Sequence, residues 1–94
     1  MDSKKPPVPE EVEAAIRAAS DLAPEAAAYV LAAVANRAAA ALHKLARDAS
    51  ESRRGQPDWG RWARLQNASR DAVLRTATSR EIAGEIASGG KASS

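Results

Sequence analysis

The stretch that decides the fold is residues 24–52, PEAAAYVLAAVANRAAAALHKLARDASES. Pro24 and Glu25 suit a first helical turn, because a proline there loses no hydrogen bond and an acid faces the positive end of the helix dipole. Apolar residues then recur on one side of the helix for about six turns. They form a stripe of Ala27, Val30, Leu31, Val34, Ala38, Ala41, Leu42, Leu45 and Ala49. The stretch is therefore predicted to be one long helix that lays this stripe on a core.

Helical patterns also flank this stretch. A first helix is predicted from Pro9 to Ser20, because four apolar residues share one face: Val12, Ala15, Ile16 and Ala19. Gly55 and Pro57 end the long helix, since glycine suits the position after a helix and proline cannot continue it. A third helix begins at about Pro57–Asp58. Its stripe holds Trp59, Trp62, Leu65, Ser69, Ala72, Val73, Thr76 and Ala77.

The third helix is predicted to break near Thr76–Thr78. In one continuous helix Arg80 would fall at the centre of the stripe, and Ile82 and Ile86 would lie nearly opposite it. An arginine facing the core and two aliphatic residues facing water contradict the usual pattern of a packed helix. The sequence therefore favours a change of direction before Ser79.

A short fourth helix follows from this break. Thr78 and Glu81 have the spacing of a capping box, in which a threonine and a glutamate satisfy the first N–H groups of a helix. The fourth helix is predicted over 79–87. If the third helix is instead continuous, a second apolar face needs a partner chain. That face consists of Leu74, Ile82 and Ile86.

The predicted fold class is all-α, a small helical bundle of three helices plus a short fourth around a long central helix 2. With 94 residues, the chain has room for a single domain. The helical domain is predicted over 9–88, between a disordered Pro-rich tail at 1–8 and a disordered tail at 89–94.

The composition argues against several kinds of active site. The chain has no cysteine, which excludes a disulfide framework, a Cys-ligated zinc site and a thiol nucleophile. The one histidine, His43, has no carboxylate one helical turn away to orient it. We therefore expect no enzyme activity, no metal site, no cofactor and no small-molecule substrate; a subunit of an enzyme that adds little chemistry of its own is a further alternative.

The cellular location is predicted from two segments that the sequence does not contain. No run of about 18 apolar residues could span a membrane, and the start of the chain has no apolar core of a secretory signal. The chain is predicted to be cytoplasmic, without a membrane partner.

Alanines cover the back of helix 2, away from its apolar stripe. Ala32 and Ala39 belong to this back, where a solvated helix usually carries charge. One interpretation is a close-packed second interface, which gives either a homodimer or a helix embraced by helices 1 and 3 from two sides. The alternative is that alanine is simply a good helix former on the surface.

The segment 37–80 is strongly basic, with ten cations against four acids and a net charge of +6. Five arginines are predicted to contact nucleic acid, because a guanidinium fits phosphate and base edges. They are Arg47, Arg53, Arg54, Arg61 and Arg64. Helix 2 carries a polar line that fits along a phosphate backbone, and it consists of Tyr29, Asn36, His43, Arg47 and Arg54. Arginine suits an acidic protein partner equally well, and a solvated face with ion pairs inside each helix is the remaining alternative.

These patterns lead to two functional hypotheses. The first is a small non-enzymatic bacterial regulatory or accessory protein whose Arg-rich end contacts nucleic acid. The second is a homo-oligomeric protein–protein interaction module, without nucleic-acid binding, that uses an interface of Ala32, Ala39, Leu74, Ile82 and Ile86.

Overall fold

The structure is a computed structural model that describes residues 5–89 and contains three α-helices in that range. The helices are α1, Glu10–Ser20, α2, Pro24–Ser52, and α3, Trp59–Ala87. The predicted all-α fold with a long central helix is therefore confirmed. Of the predicted tails, residues 1–4 and 90–94 lie outside the described residues, and residues 5–8 precede α1 without regular secondary structure.

Proline starts both of the first two helices. Pro9 precedes α1, and its carbonyl oxygen accepts hydrogen bonds from the N–H groups of Val12 at 3.0 Å and Glu13 at 3.1 Å. Pro24 is the first residue of α2, where its missing N–H removes no bond of the helix. The short link between the helices forces α1 to fold back along the first half of α2.

α2 and α3 pack against each other as a long antiparallel hairpin. Asn36 Nδ2 donates to the Val73 carbonyl oxygen at 3.1 Å and to Thr76 Oγ1 at 2.9 Å. Two turns further along α2, His43 Nδ1 lies 3.2 Å from the Gln66 carbonyl oxygen. The partners on α3 move toward its start as the position on α2 moves toward its end, so the two helices run in opposite directions.

The facing residues repeat at alternating steps of three and four, as in a coiled coil. On α2 they are Ala32, Asn36, Ala39, His43, Ala46 and Ser50; on α3 they are Trp62, Gln66, Ser69, Val73, Thr76, Arg80 and Ala83. Most of these side chains are small. Ala46 has no exposed surface and Ser69 is 2% exposed, so the two backbones approach closely at these levels. The centre of the hairpin is thus built from alanine, serine and a few polar groups.

The bulky stripe of α2 is only partly covered. Val30 and Leu31 are half-buried where α1 lies against α2, whereas Val34, Leu42 and Leu45 are 48%, 40% and 56% exposed. The alanine back packs on α3 instead. The physical reason is that small side chains allow close helix contact, and the polar groups of this face find hydrogen-bond partners across the contact.

The predicted break near Thr76–Thr78 and the predicted fourth helix are wrong, because α3 continues without interruption to Ala87. The hydroxyl groups that suggested a cap bond backwards within the helix. Thr78 Oγ1 donates to the Leu74 carbonyl oxygen at 3.3 Å, and Ser79 Oγ donates to that of Arg75 at 3.3 Å. A serine or threonine can thus satisfy its hydroxyl inside a helix, and tertiary packing decides which use it makes.

The turn between α2 and α3 closes around an arginine. Gly55 adopts a φ of +85°, a backbone conformation that side chains other than glycine rarely tolerate. Arg53 Nε donates to Asp58 Oδ2 at 3.1 Å, and the guanidinium carbon lies 5.4 Å from the centre of the Trp62 ring. These contacts join the end of α2 to the start of α3.

Candidate docking surface

The bulky apolar side chains are at most half-buried in the described range. Of the apolar residues there, only four alanines are buried: Ala27, Ala39, Ala46 and Ala83. The large apolar residues that are classed as exposed are Val8, Val12, Ile16, Leu22, Tyr29, Val34, Leu42, Leu45, Trp59, Leu74, Ile82 and Ile86. A folded monomer normally hides most residues of this kind, so their distribution points to a surface for association.

The hairpin has two different edges. One edge carries a cavity of about 360 Å³ that is lined from both helices. Its lining residues are Tyr29, Asn36, Ala77, Arg80, Glu81 and Gly84. Asn36 and Arg80 belong to the line of facing residues, and on helical wheels at about 100° per residue the other four are displaced from that line in the same rotational sense. Because α2 and α3 are antiparallel, residues displaced in the same sense on the two helices lie on the same edge of the hairpin. We call this edge the polar edge.

The opposite edge, which we call the apolar edge, carries residues displaced in the other sense. From α2 it presents Leu42 and Leu45, and from α3 it presents Ile82 and Ile86, all of which are at least 40% exposed. α1 lies against α2 on this edge, and the groove between these two helices has a volume of about 390 Å³. The apolar edge therefore runs from α1 toward the hairpin turn.

The predicted interface residues separate into two groups in the structure. Ala39 is buried and Ala32 is half-buried on the α2 face that packs on α3, so this face is used inside the chain. α2 thus packs against α1 on one side and against α3 on another, as in one of the two arrangements considered for its alanine back. Leu74, Ile82 and Ile86 are exposed, at 62%, 53% and 48%. With α3 continuous, these are the three residues of the predicted second apolar face, and a partner for them stays a prediction.

Leu74 does not share the apolar edge with the two isoleucines. It lies about 80° from Ile82 and about 120° from Ile86 around α3, on the side of the polar edge. The predicted face of three residues is thus divided, and only its two isoleucines extend the apolar edge.

The predicted nucleic-acid residues cluster around the hairpin turn but differ in their contacts. Arg53 is held by Asp58 and Trp62, and Arg47 Nε lies 3.8 Å from Asp48 Oδ1. The other three are exposed and form no ion pair with any described residue; they are Arg54, Arg61 and Arg64. Binding of nucleic acid by these arginines stays a prediction.

Two residues of the polar line of α2, Asn36 and His43, contact α3. His43 Nδ1 lies 3.3 Å from Ser69 Oγ, and Asn36 bridges to α3 as described above. Both side chains are half-buried. No group of three or more histidine or acidic residues within 5–89 could hold a metal ion. The contacts of Asn36 and His43 thus contribute to the packing and to the register of α2 against α3.

Leu42 and Leu45 are the surface residues that sequence reasoning placed in the core. The signal that could have found them is the repeat of small residues at steps of three and four on the back of α2. This repeat marks a helix-contact face of its own, which frees the bulky stripe for another helix.

Comparisons with known proteins return no relative of this chain: no protein-family model, curated protein or solved structure gives a significant match. Within 5–89, none of the three helices combines the length and hydropathy that crossing a bilayer requires.

Proposed function

We propose that this protein acts by binding another protein and that its apolar edge is the docking surface. The single observation that carries the proposal is the exposure of Leu42, Leu45, Ile82 and Ile86 on one edge of a hairpin whose centre is filled by alanine and serine. Since each of these side chains is about half exposed, complete burial by a partner would contribute about 1 kcal/mol for each of them.

The total surface of the molecule supports the proposal. The chain exposes 6947 Å², whereas a compact monomer of its mass, 9.8 kDa, exposes about 5,200 Å². A standard protein–protein interface removes about 1,600 Å² from water over both partners. The larger surface agrees with long helices that pair only with each other and leave apolar side chains exposed.

Site-specific photo-crosslinking tests the proposal. A photoreactive amino acid replaces Leu45 or Ile82 in the full chain, produced in cells that naturally make it, and Ala40 on the polar edge serves as the matched exposed control. We expect light-dependent adducts from positions 45 and 82 that protease removes and nuclease leaves intact. Adducts from position 40 should be weaker by tenfold or more.

Two outcomes contradict the proposal. The first is an absence of adducts at positions 45 and 82. The second is adducts that nuclease removes, which would favour the Arg-rich end as a nucleic-acid site.

The stability of the monomer provides an independent check. Leu45→Ser and Ile82→Ser should each lower the free energy of unfolding in urea by no more than about 1 kcal/mol, because about half of each side chain already faces water. A loss of about 2 kcal/mol or more would mean that these residues pack inside the chain, and the proposed docking surface would be wrong.

A further inference from the structure

We infer that the bare half of the α2 stripe is a second helix seat, and that its occupant is an acidic amphipathic helix of about three turns supplied by a partner protein. The inference rests on the proposed function, because the seat is part of the apolar edge. It adds the chemistry and shape of the partner.

The seat repeats the one that already holds α1. In the groove, α2 meets α1 through Val30, Leu31, Val34 and Ala38. A shift of 11 residues along α2 gives the set Ala41, Leu42, Leu45 and Ala49. Both sets have leucine at the second position and alanine at the fourth. At the third position, Leu45 of the second set corresponds to Val34 of the first.

The repeat also preserves the direction of the side chains. Eleven residues turn an α-helix by about three full turns plus 20°, so the second set lies on the same side of α2 and about 16 Å further along it. α1 is 11 residues long, and the groove that it forms with α2 extends along α2 only as far as the first set. The second set is left open, with Leu45 at 56% exposure.

Basic side chains border the open seat on α3. Arg61 lies about 90° from the facing line of α3, in the same rotational sense as Leu42 on α2, which places both on the apolar edge, and Arg64 lies further around α3 in the same sense. His43 contacts Gln66, so α3 passes the seat at this level. Both arginines are exposed and form no ion pair with a described residue.

The charge of the border selects an acidic occupant. Carboxylates on the polar side of a docked helix would meet Arg61 and Arg64, and an Arg–carboxylate pair has a matched geometry that lysine does not offer. α1 itself has this character, because three acids stand in its first turn. They are Glu10, Glu11 and Glu13.

The inference assigns the occupant to another protein. Each chain has one α1 and two seats, and α1 lies against the first seat. If a second copy placed its α1 on the second seat, it would uncover the first seat of its own α2. Exchange between copies therefore leaves the number of open seats unchanged.

A labelled peptide tests the inference with the full chain. The probe has the sequence of residues 9–20, PEEVEAAIRAAS, with blocked ends, a fluorescent label and a hydrocarbon staple on its polar side that holds it helical. A matched peptide carries Glu10→Lys, Glu11→Lys and Glu13→Lys. We expect saturable binding of the acidic peptide, weakened as salt rises, and binding of the basic peptide that is weaker by tenfold or more.

Variants of the chain locate the bound peptide. Leu45→Asp should weaken binding by tenfold or more, whereas Leu74→Asp, which alters an equally exposed leucine on the other side of α3, should leave it unchanged. The double variant Arg61→Glu/Arg64→Glu should weaken binding by fivefold or more, and Arg70→Glu, on the polar-edge side of α3, is its matched control.

Several results would overturn the second seat. They are no binding at 1 mM peptide, equal binding of the two peptides, or binding that Leu31→Asp abolishes and Leu45→Asp does not. The last result would show exchange with α1 in the first seat. Protein adducts from position 45 would still stand in each of these cases, so failure of the inference is distinguishable from failure of the proposed function.

Discussion

At the residue scale, the hairpin depends on side chains that are small enough to let two backbones meet. Ala46 is completely enclosed, and Ser69 on α3 satisfies its hydroxyl by donating to the Gln66 carbonyl oxygen at 2.9 Å. Asn36 adds direction, because its amide reaches α3 only at one register. The contact is therefore specified by size and hydrogen bonding, with little contribution from large apolar groups.

Enlarging one of these positions should destabilise the hairpin. Ala46→Leu inserts three carbon atoms where no space is exposed, and we expect a loss of about 1–3 kcal/mol in the free energy of unfolding. Ala40→Leu makes the same change at an exposed position of the same helix and should stay within about 0.5 kcal/mol. Urea denaturation followed by circular dichroism measures both. Equal effects of the two substitutions would argue against close contact of α2 and α3 at this level.

At the element scale, the continuity of α3 explains why its apolar residues face outward. Arg80 lies on the α2-facing side, half-buried, and it lines cavities on either side of Tyr29. A long arginine side chain can cover apolar surface while its guanidinium reaches water, so it is tolerated there. The same helical phase turns Ile82 and Ile86 away from α2. The arrangement that the sequence pattern disfavoured thus leaves both isoleucines exposed, at 53% and 48%.

A proline at position 79 distinguishes a continuous α3 from a broken one. In the predicted fourth helix Ser79 would be the first residue, where proline is well tolerated. Inside a continuous helix, proline removes a backbone hydrogen bond and clashes with the preceding turn, so Ser79→Pro should cost about 3 kcal/mol or more. Ser79→Ala is the control and should have little effect. Chemical denaturation checks both, and a tolerated proline would restore the predicted break.

At the scale of the whole molecule, the chain is a slim rod with one short helix attached. Its radius of gyration is 16.8 Å and its dimensions are 54 × 30 × 18 Å. A compact domain of this length has a radius of gyration of about 12 Å. The difference arises because the long helices pair only with each other, and α1 covers half of one of them.

Small-angle X-ray scattering tests this shape. The double variant Leu45→Ser/Ile82→Ser removes two large groups of the apolar edge and should keep the chain monomeric at the concentrations required. We expect a radius of gyration close to 17 Å, against about 30 Å for the chain in concentrated guanidinium chloride. A value near 12 Å would mean that α1 and the hairpin collapse into a closed bundle that buries the apolar edge.

Much of the local structure could be predicted from the sequence, and the arrangement of its surfaces could be predicted only in part. The helices start at Pro9 and Pro24 because proline restricts its own backbone, which requires no knowledge of the fold. The exposure of Leu42 and Leu45 could not be derived in this way. A helical wheel shows that a stripe is apolar, but it does not identify which helix covers the stripe.

The sequence by itself determined the first two helices with their ends and the start of the third, since prolines and glycines act within a turn or two. Only the tertiary structure decided that the alanine back of α2 meets α3 and that α3 passes Thr78 unbroken. The physical reason is that burial is a property of two surfaces together, so hydrogen bonds such as that of Asn36 to Thr76 are decided between elements.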